Sequence, residues 1–191
     1  GSAKFINAFF RNPKIKDAVE NMLYTRDGLM LGICNGFQAL IKLGLVPFGH
    51  IVPLTTDSPT LTYNSIGHHQ SQLAYTRICT NKSPWLMHCK VGDVAAIPIS
   101  HGEGRFVASD EVIKKLIENG QVATQYVDLK GNPTMDVAFN PNSSMCAIEG
   151  IISPDGRVLG KMGHTERITG NTCTNVDGNK EQLLFKGGVD Y

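Results

Sequence analysis

The segment Leu29-Met30-Leu31-Gly32-Ile33-Cys34-Asn35-Gly36-Phe37-Gln38 constrains this chain more than any other. Residues 28–33 are continuously apolar and short, which reads as a strand buried on both faces, as in a parallel sheet covered by helices. The run stops at G-x-C-x-G. Phe37, Leu40 and Ile41 then recur on one helical face, with Gly44 placed to close the helix. Strand, tight turn and helix in that order form a nucleophile elbow, here built around a thiol. Small residues on either side of Cys34 let the two backbones approach. The helix N-terminus favours a thiolate, and the Asn35 backbone N–H can face a developing oxyanion. The plainer alternative is a buried cysteine between two packing glycines.

A thiol nucleophile needs a base, and Val158-Leu159-Gly160-Lys161-Met162-Gly163-His164-Thr165-Glu166-Arg167 can supply one. If this stretch is extended, positions i and i+2 project to the same side. Glu166 then orients the His164 imidazole, and His164 serves Cys34. A third segment, Ile97-Pro98-Ile99-Ser100-His101-Gly102-Glu103-Gly104-Arg105-Phe106, reads as an apolar strand ending in a glycine-rich polar loop whose backbone N–H groups suit carboxylate or amide recognition. His68-His69 and His88-Cys89 lack regular ligand spacing, so no metal site is expected.

The chain's 191 residues suit a single domain with a real core. Eighteen Lys+Arg against seventeen Asp+Glu leave no electrostatic footprint for nucleic acid or an anionic membrane. No apolar run approaches the ~18 residues of a membrane span. The opening Gly1-Ser2-Ala3-Lys4-Phe5 lacks a signal-peptide pattern. The five cysteines, Cys34, Cys79, Cys89, Cys146 and Cys173, include no CxxC pair. A disulfide framework or close-paired zinc site is therefore not expected, and most of these thiols should be buried. These features predict a cytoplasmic chain.

Asn12-Pro13 starts an amphipathic helix predicted over 13–24, and Ser109 caps another that Gly120 ends. Strands are predicted near 73–79, 94–99 and 122–127, and Ser153-Pro154-Asp155-Gly156 should turn a hairpin between 146–152 and 157–162. Helices alternating with short strands predict one α/β domain spanning 1–191, a mostly parallel sheet with helices on both faces.

Together these segments resemble the class I, triad-type glutamine amidotransferase domains, and within them the glutaminase domain of phosphoribosylformylglycinamidine synthases. The resemblance rests on Gly-Ile-Cys-Asn-Gly-Phe-Gln (32–38), Leu43-Gly44-Leu45-Val46-Pro47 and Pro98-Ile99-Ser100-His101-Gly102-Glu103-Gly104-Arg105-Phe106. It continues through Gln125-Tyr126-Val127-Asp128, Gly131-Asn132-Pro133, Asn140-Pro141-Asn142-Ser143 and Ile148-Glu149-Gly150, and closes with His164-Thr165-Glu166-Arg167. It implies a flavodoxin-like fold and a glutaminase that feeds ammonia to an ATP-dependent synthase domain or subunit. That synthase converts formylglycinamide ribonucleotide to formylglycinamidine ribonucleotide in purine biosynthesis. Cys34 would be the nucleophile, His164 the base and acid, and Glu166 its orienter. Asn35, Gln38, His101, Gly102 and Arg105 would hold glutamine. No cofactor is implied here; ATP and Mg belong to the synthase part.

Two departures stand out. The family places Pro before the triad His, where this chain has Gly163. The family domain also begins with further strands, including a glycine-rich loop that donates a second oxyanion N–H. This chain is thus expected to be an N-terminally truncated domain with an exposed sheet edge, prone to self-association and slow on its own. The competing readings are a catalytically silent docking module of the same fold, or another thiol hydrolase.

Overall fold

The computed structural model describes residues 3–191, and its architecture is set by consecutive strand residues that face opposite sides of one sheet. The opening Gly1 and Ser2 lie outside the described residues. In chain order the elements are α1 (Ala3–Phe10), α2 (Pro13–Glu20), β1 (Met30–Ile33), α3 (Asn35–Leu43) and a helical turn α4 (Leu45–Phe48). There follow β2 (Thr60–Tyr63), β3 (Gln70–Ile78), β4 (Val94–His101), β5 (Glu103–Val107) and α5 (Asp110–Glu118). The chain ends with β6 (Val122–Tyr126), β7 (Ile148–Ile152), β8 (Val158–Lys161) and α6 (Leu184–Asp190).

Six strands form one sheet in the order β1-β8-β7-β6-β3-β4, and β2 and β5 form a separate antiparallel ribbon. The expected α/β class holds, but the sheet is mixed rather than mostly parallel. Only β1 and β8 run parallel, in register from Met30↔Val158 to Ile33↔Lys161, and the other pairs are antiparallel. The predicted turn at 153–156 is the reason for one of these. It joins β7 to β8 too tightly for a crossover helix, so those strands must pair antiparallel.

Ile151 and Val158 enter a cluster under α3 that includes Phe37, Leu40, Ile41 and Leu43. Their neighbours Ile152 and Leu159 enter a second cluster with Leu86 and Leu184 on the opposite face. Both faces are therefore covered, and β7 is buried along its whole length. β1 is not. As an edge strand among the described residues it buries only Gly32 fully, which corrects its expected burial on both faces.

α3 ends as predicted at Gly44, whose left-handed φ of 86° lets its N–H close on Ile41 O. Ser109 Oγ accepts from Val112 N at the start of α5. The predicted helix over 13–24 stops at Glu20 and continues as a π turn, Asn21–Thr25. All five cysteines are free, but only Cys89 is buried and Cys146 is exposed, contrary to the expectation that most would be interior. Among the described residues no helix is long and apolar enough to cross a membrane.

Candidate active site

Cys34 occupies the turn between β1 and α3 with φ 52° and ψ −105°, a conformation rarely open to a non-glycine residue. Packing enforces it. A Cβ on Gly32 would lie 2.5 Å from Leu40 Cδ1 and 2.8 Å from the Gly36 backbone, so strand and helix are nearly in contact there. A Cβ on Gly36 would meet nothing within 4 Å, so its absence leaves open space instead of permitting a close contact. The turn is anchored from β8, where Lys161 O accepts the Cys34 N–H at 2.8 Å.

His164 follows the end of β8 and is buried. Its Nδ1 lies 2.6 Å from Glu166 Oε1. The expected pairing is present, but the backbone is not extended. His164 precedes a 3-10 turn, Thr165–Arg167, and this turn brings the carboxylate back to the ring. His164 Nε2 is buried and has no hydrogen-bond partner among the described residues, so one nitrogen is held by Glu166 and the other is available for proton transfer.

Both Cys34 and His164 touch the outer edge of β4. The His164 N–H donates to Pro98 O at 2.8 Å, and the Cys34 thiol lies 3.8 Å from Ser100 O. Residues two apart in a strand present their carbonyls on the same edge. The outer edge of β4, at the far end of the strand order, thus meets the residues that follow β1 and β8. Pro98 suits that edge because it has no N–H to leave unpaired.

Burial pushes the Cys34 thiol up from its ordinary value, opposed by the Asn35 backbone N–H and by Arg167, while Glu166 adds to the rise. Burial thus works against the thiolate that the helix N-terminus would favour, so a base beside the sulfur is needed to take its proton.

The remaining candidates have varied placements. The Gln38 side-chain amide donates to Glu103 O at 2.5 Å, which ties α3 to β5. Asn35 Oδ1 accepts from Ala3 N at 3.1 Å, bringing the start of α1 beside the elbow. His101 is buried with no partner for either ring nitrogen among the described residues, and burial pushes it down to about 4. The predicted glycine-rich loop is absent. β4 continues to His101, Gly102 is the corner, and β5 resumes at Glu103. Two backbone carbonyls there are occupied within the protein: Gly102 O accepts from Asn64 N at 2.9 Å and Gly104 O from Asn142 Nδ2 at 2.6 Å. Arg105 sits opposite Thr62 in the ribbon.

Two residues not proposed from sequence adjoin the site, the fully buried ions Glu149 and Lys161. A signal for them was present, since a charge inside an apolar strand is rarely buried without a specific partner. Among the described residues no cluster of three or more His, Cys, Asp or Glu could hold a metal.

A strained cysteine elbow ends β1, and a His–Glu pair follows the end of β8, its parallel neighbour; comparison with known proteins gives the class of the chain. The chain belongs to the CobB/CobQ-like glutamine amidotransferase domain family, whose model matches residues 1–191. It is 36% identical over 166 residues to phosphoribosylformylglycinamidine synthase subunit PurQ of Symbiobacterium thermophilum, covering 87% of this chain and 64% of that one. It is 37% identical over 153 residues to the PurQ of Prochlorococcus marinus, covering 80% and 60%. The solved structure of PurLQS from Thermotoga maritima superposes with a TM-score of 0.63 at 27% identity, covering 91% of this chain and 67% of that one. The chain thus spans about three fifths of the length of these curated relatives.

Proposed function

We propose that this chain is the glutamine-hydrolysing part of a cytoplasmic phosphoribosylformylglycinamidine synthase. The carrying observation is that Cys34 and the His164–Glu166 pair end the two parallel strands β1 and β8, on a fold shared with PurQ-type subunits. His164 Nε2 takes the Cys34 proton, and the sulfur attacks the side-chain carbonyl of glutamine. The Asn35 N–H faces the oxyanion, an interaction worth about 3–4 kcal/mol in comparable sites. Collapse of the tetrahedral intermediate breaks the C–N bond, and His164 returns the proton to the departing ammonia. The resulting γ-glutamyl thioester is cleaved by water, which His164 activates, and glutamate leaves.

The ammonia is used by an ATP-dependent synthase subunit, the expected partner. The test uses the full-length enzyme with its synthase. His164→Ala should abolish synthesis from glutamine and leave synthesis from added ammonia unchanged. Loss of both activities would make His164 a structural residue and defeat the assignment.

A further inference from the structure

Lys161 and Glu149 lie behind the site as an ion pair with neither side chain exposed, Nζ and Oε1 3.5 Å apart. Removing two charges from water costs more than their attraction usually returns. Fold stability is therefore a poor account of the pair, and what it touches is more informative.

Glu149 Oε1 accepts the Gly163 N–H at 2.5 Å, and Lys161 Nζ donates to Gly163 O at 2.9 Å. The residue before the base is thus gripped at its N–H and at its carbonyl by opposite charges. Nζ also donates to Thr165 Oγ1 at 2.9 Å, so the residue after the base is gripped as well. The grip is braced on both sides. Thr124 Oγ1 donates to Glu149 Oε2. Thr165 Oγ1 donates to Gln182 Oε1 at 2.9 Å, and Gln182 Nε2 to Thr76 Oγ1 at 3.1 Å. With the His164 N–H on Pro98 O, three consecutive backbone positions, 163 to 165, are fixed.

We infer that Glu149 and Lys161 are positioning residues that hold the loop carrying His164 so that its Nε2 faces Cys34. The inference rests on the glutaminase reading and deepens it. It also explains Gly163. A Cβ there would lie 2.8 Å from Ile97 Cγ2, 3.0 Å from Glu149 Oε1 and 3.2 Å from Lys161 Nζ, and a proline would remove the N–H that Glu149 grips.

The test compares Lys161→Met, Lys161→Met/Glu149→Leu and Thr165→Val in the full-length enzyme. Glutaminase kcat and KM, the thermal midpoint, and the pH dependence of Cys34 alkylation by iodoacetamide are measured. Lys161→Met should lower kcat by about 10–100-fold with KM held within about twofold, the cost of a misplaced reacting group. Its alkylation profile should move up by about half a pH unit because the displaced His164 ring no longer accepts the thiol proton, Arg167, Glu166 and Tyr126 being unchanged. The double variant leaves no lone buried ion, so it should recover the thermal midpoint while remaining as slow as the single. Thr165→Val, which removes the hydroxyl's contacts with Lys161 and Gln182 and keeps the shape, should lower kcat about threefold without unfolding.

A double variant that regains kcat along with its stability would overturn the inference, as would a Lys161→Met enzyme of unchanged kcat and alkylation midpoint. The alkylation profile requires no substrate. A wild type that hydrolyses no glutamine would defeat the glutaminase reading, while the profile would still decide whether the clamp couples His164 to Cys34.

Discussion

At the end of β1 the backbone itself does the positioning. Cys34 is pinned because Gly32 nearly touches Leu40 and the Gly36 backbone, and because the Phe37 ring lies against Gly160 of β8. At the end of β8 the same task falls to buried charge, with Glu149 and Lys161 gripping the residues on either side of His164. One region is rigid because a methyl group has nowhere to go, the other because unpaired donors and acceptors are costly in a dry interior. The nucleophile end should therefore fail by overpacking, and the base end by losing hydrogen bonds while its shape survives.

The largest effect expected is on chemistry. Cys34→Ala should reduce glutaminase turnover by about 10⁶-fold, as for other nucleophiles of a triad. Glu166→Ala should cost less, about 10⁴-fold, because it orients a reacting group without reacting. Steady-state rates of both variants would break the comparison if the order were reversed.

β4 serves both ends through Pro98 and Ser100, and His101 closes it. His101 is pushed from its ordinary value near 6.5 to about 4, by burial first, with His164 and His69 adding and Glu149 opposing. The unfolded chain binds the extra proton between those values, so stability falls as pH drops from about 6.5 to about 4. The total loss is roughly 3 kcal/mol. Urea midpoints at pH 7 and pH 4.5 should converge for His101→Gln relative to wild type. An unchanged slope would mean the ring is not held neutral.

The smaller effects contrast the two glycines of the elbow. Gly32→Ala should destabilise by about 1–3 kcal/mol through overpacking, read from chemical denaturation. Gly36→Ala meets nothing and gains helix propensity, so it should stabilise by about 0.5–1 kcal/mol. Equal effects would show that the close approach at Gly32 is not what shapes the turn.

These regions also differ in how readable they were from sequence. The elbow, α3 with Gly44, α5 with Ser109 and the β7–β8 hairpin rest on local signals, because a cap, a left-handed glycine or a tight turn involves residues a few positions apart. The pairing of His164 with Glu166 was visible, but its 3-10 geometry was not, since the grip on Gly163 and Thr165 comes from side chains on β7 and β8. The β2–β5 ribbon was missed because it pairs Thr60–Tyr63 with residues about 40 positions later, beyond any local pattern. That pairing turned the expected loop after His101 into a strand. The mostly parallel sheet was inferred from apolar runs, which report burial and not direction.

The central claim is that Cys34 is the nucleophile for glutamine, activated by His164. The most direct measurement treats the full-length enzyme with a glutamine analogue bearing an electrophile at the γ-carbon and maps the modified peptide by mass. The account predicts one label per chain, on Cys34, blocked by excess glutamine and slowed strongly by His164→Ala. Labelling at Cys79, Cys89, Cys146 or Cys173, or labelling of Cys34 that glutamine does not block, would contradict it.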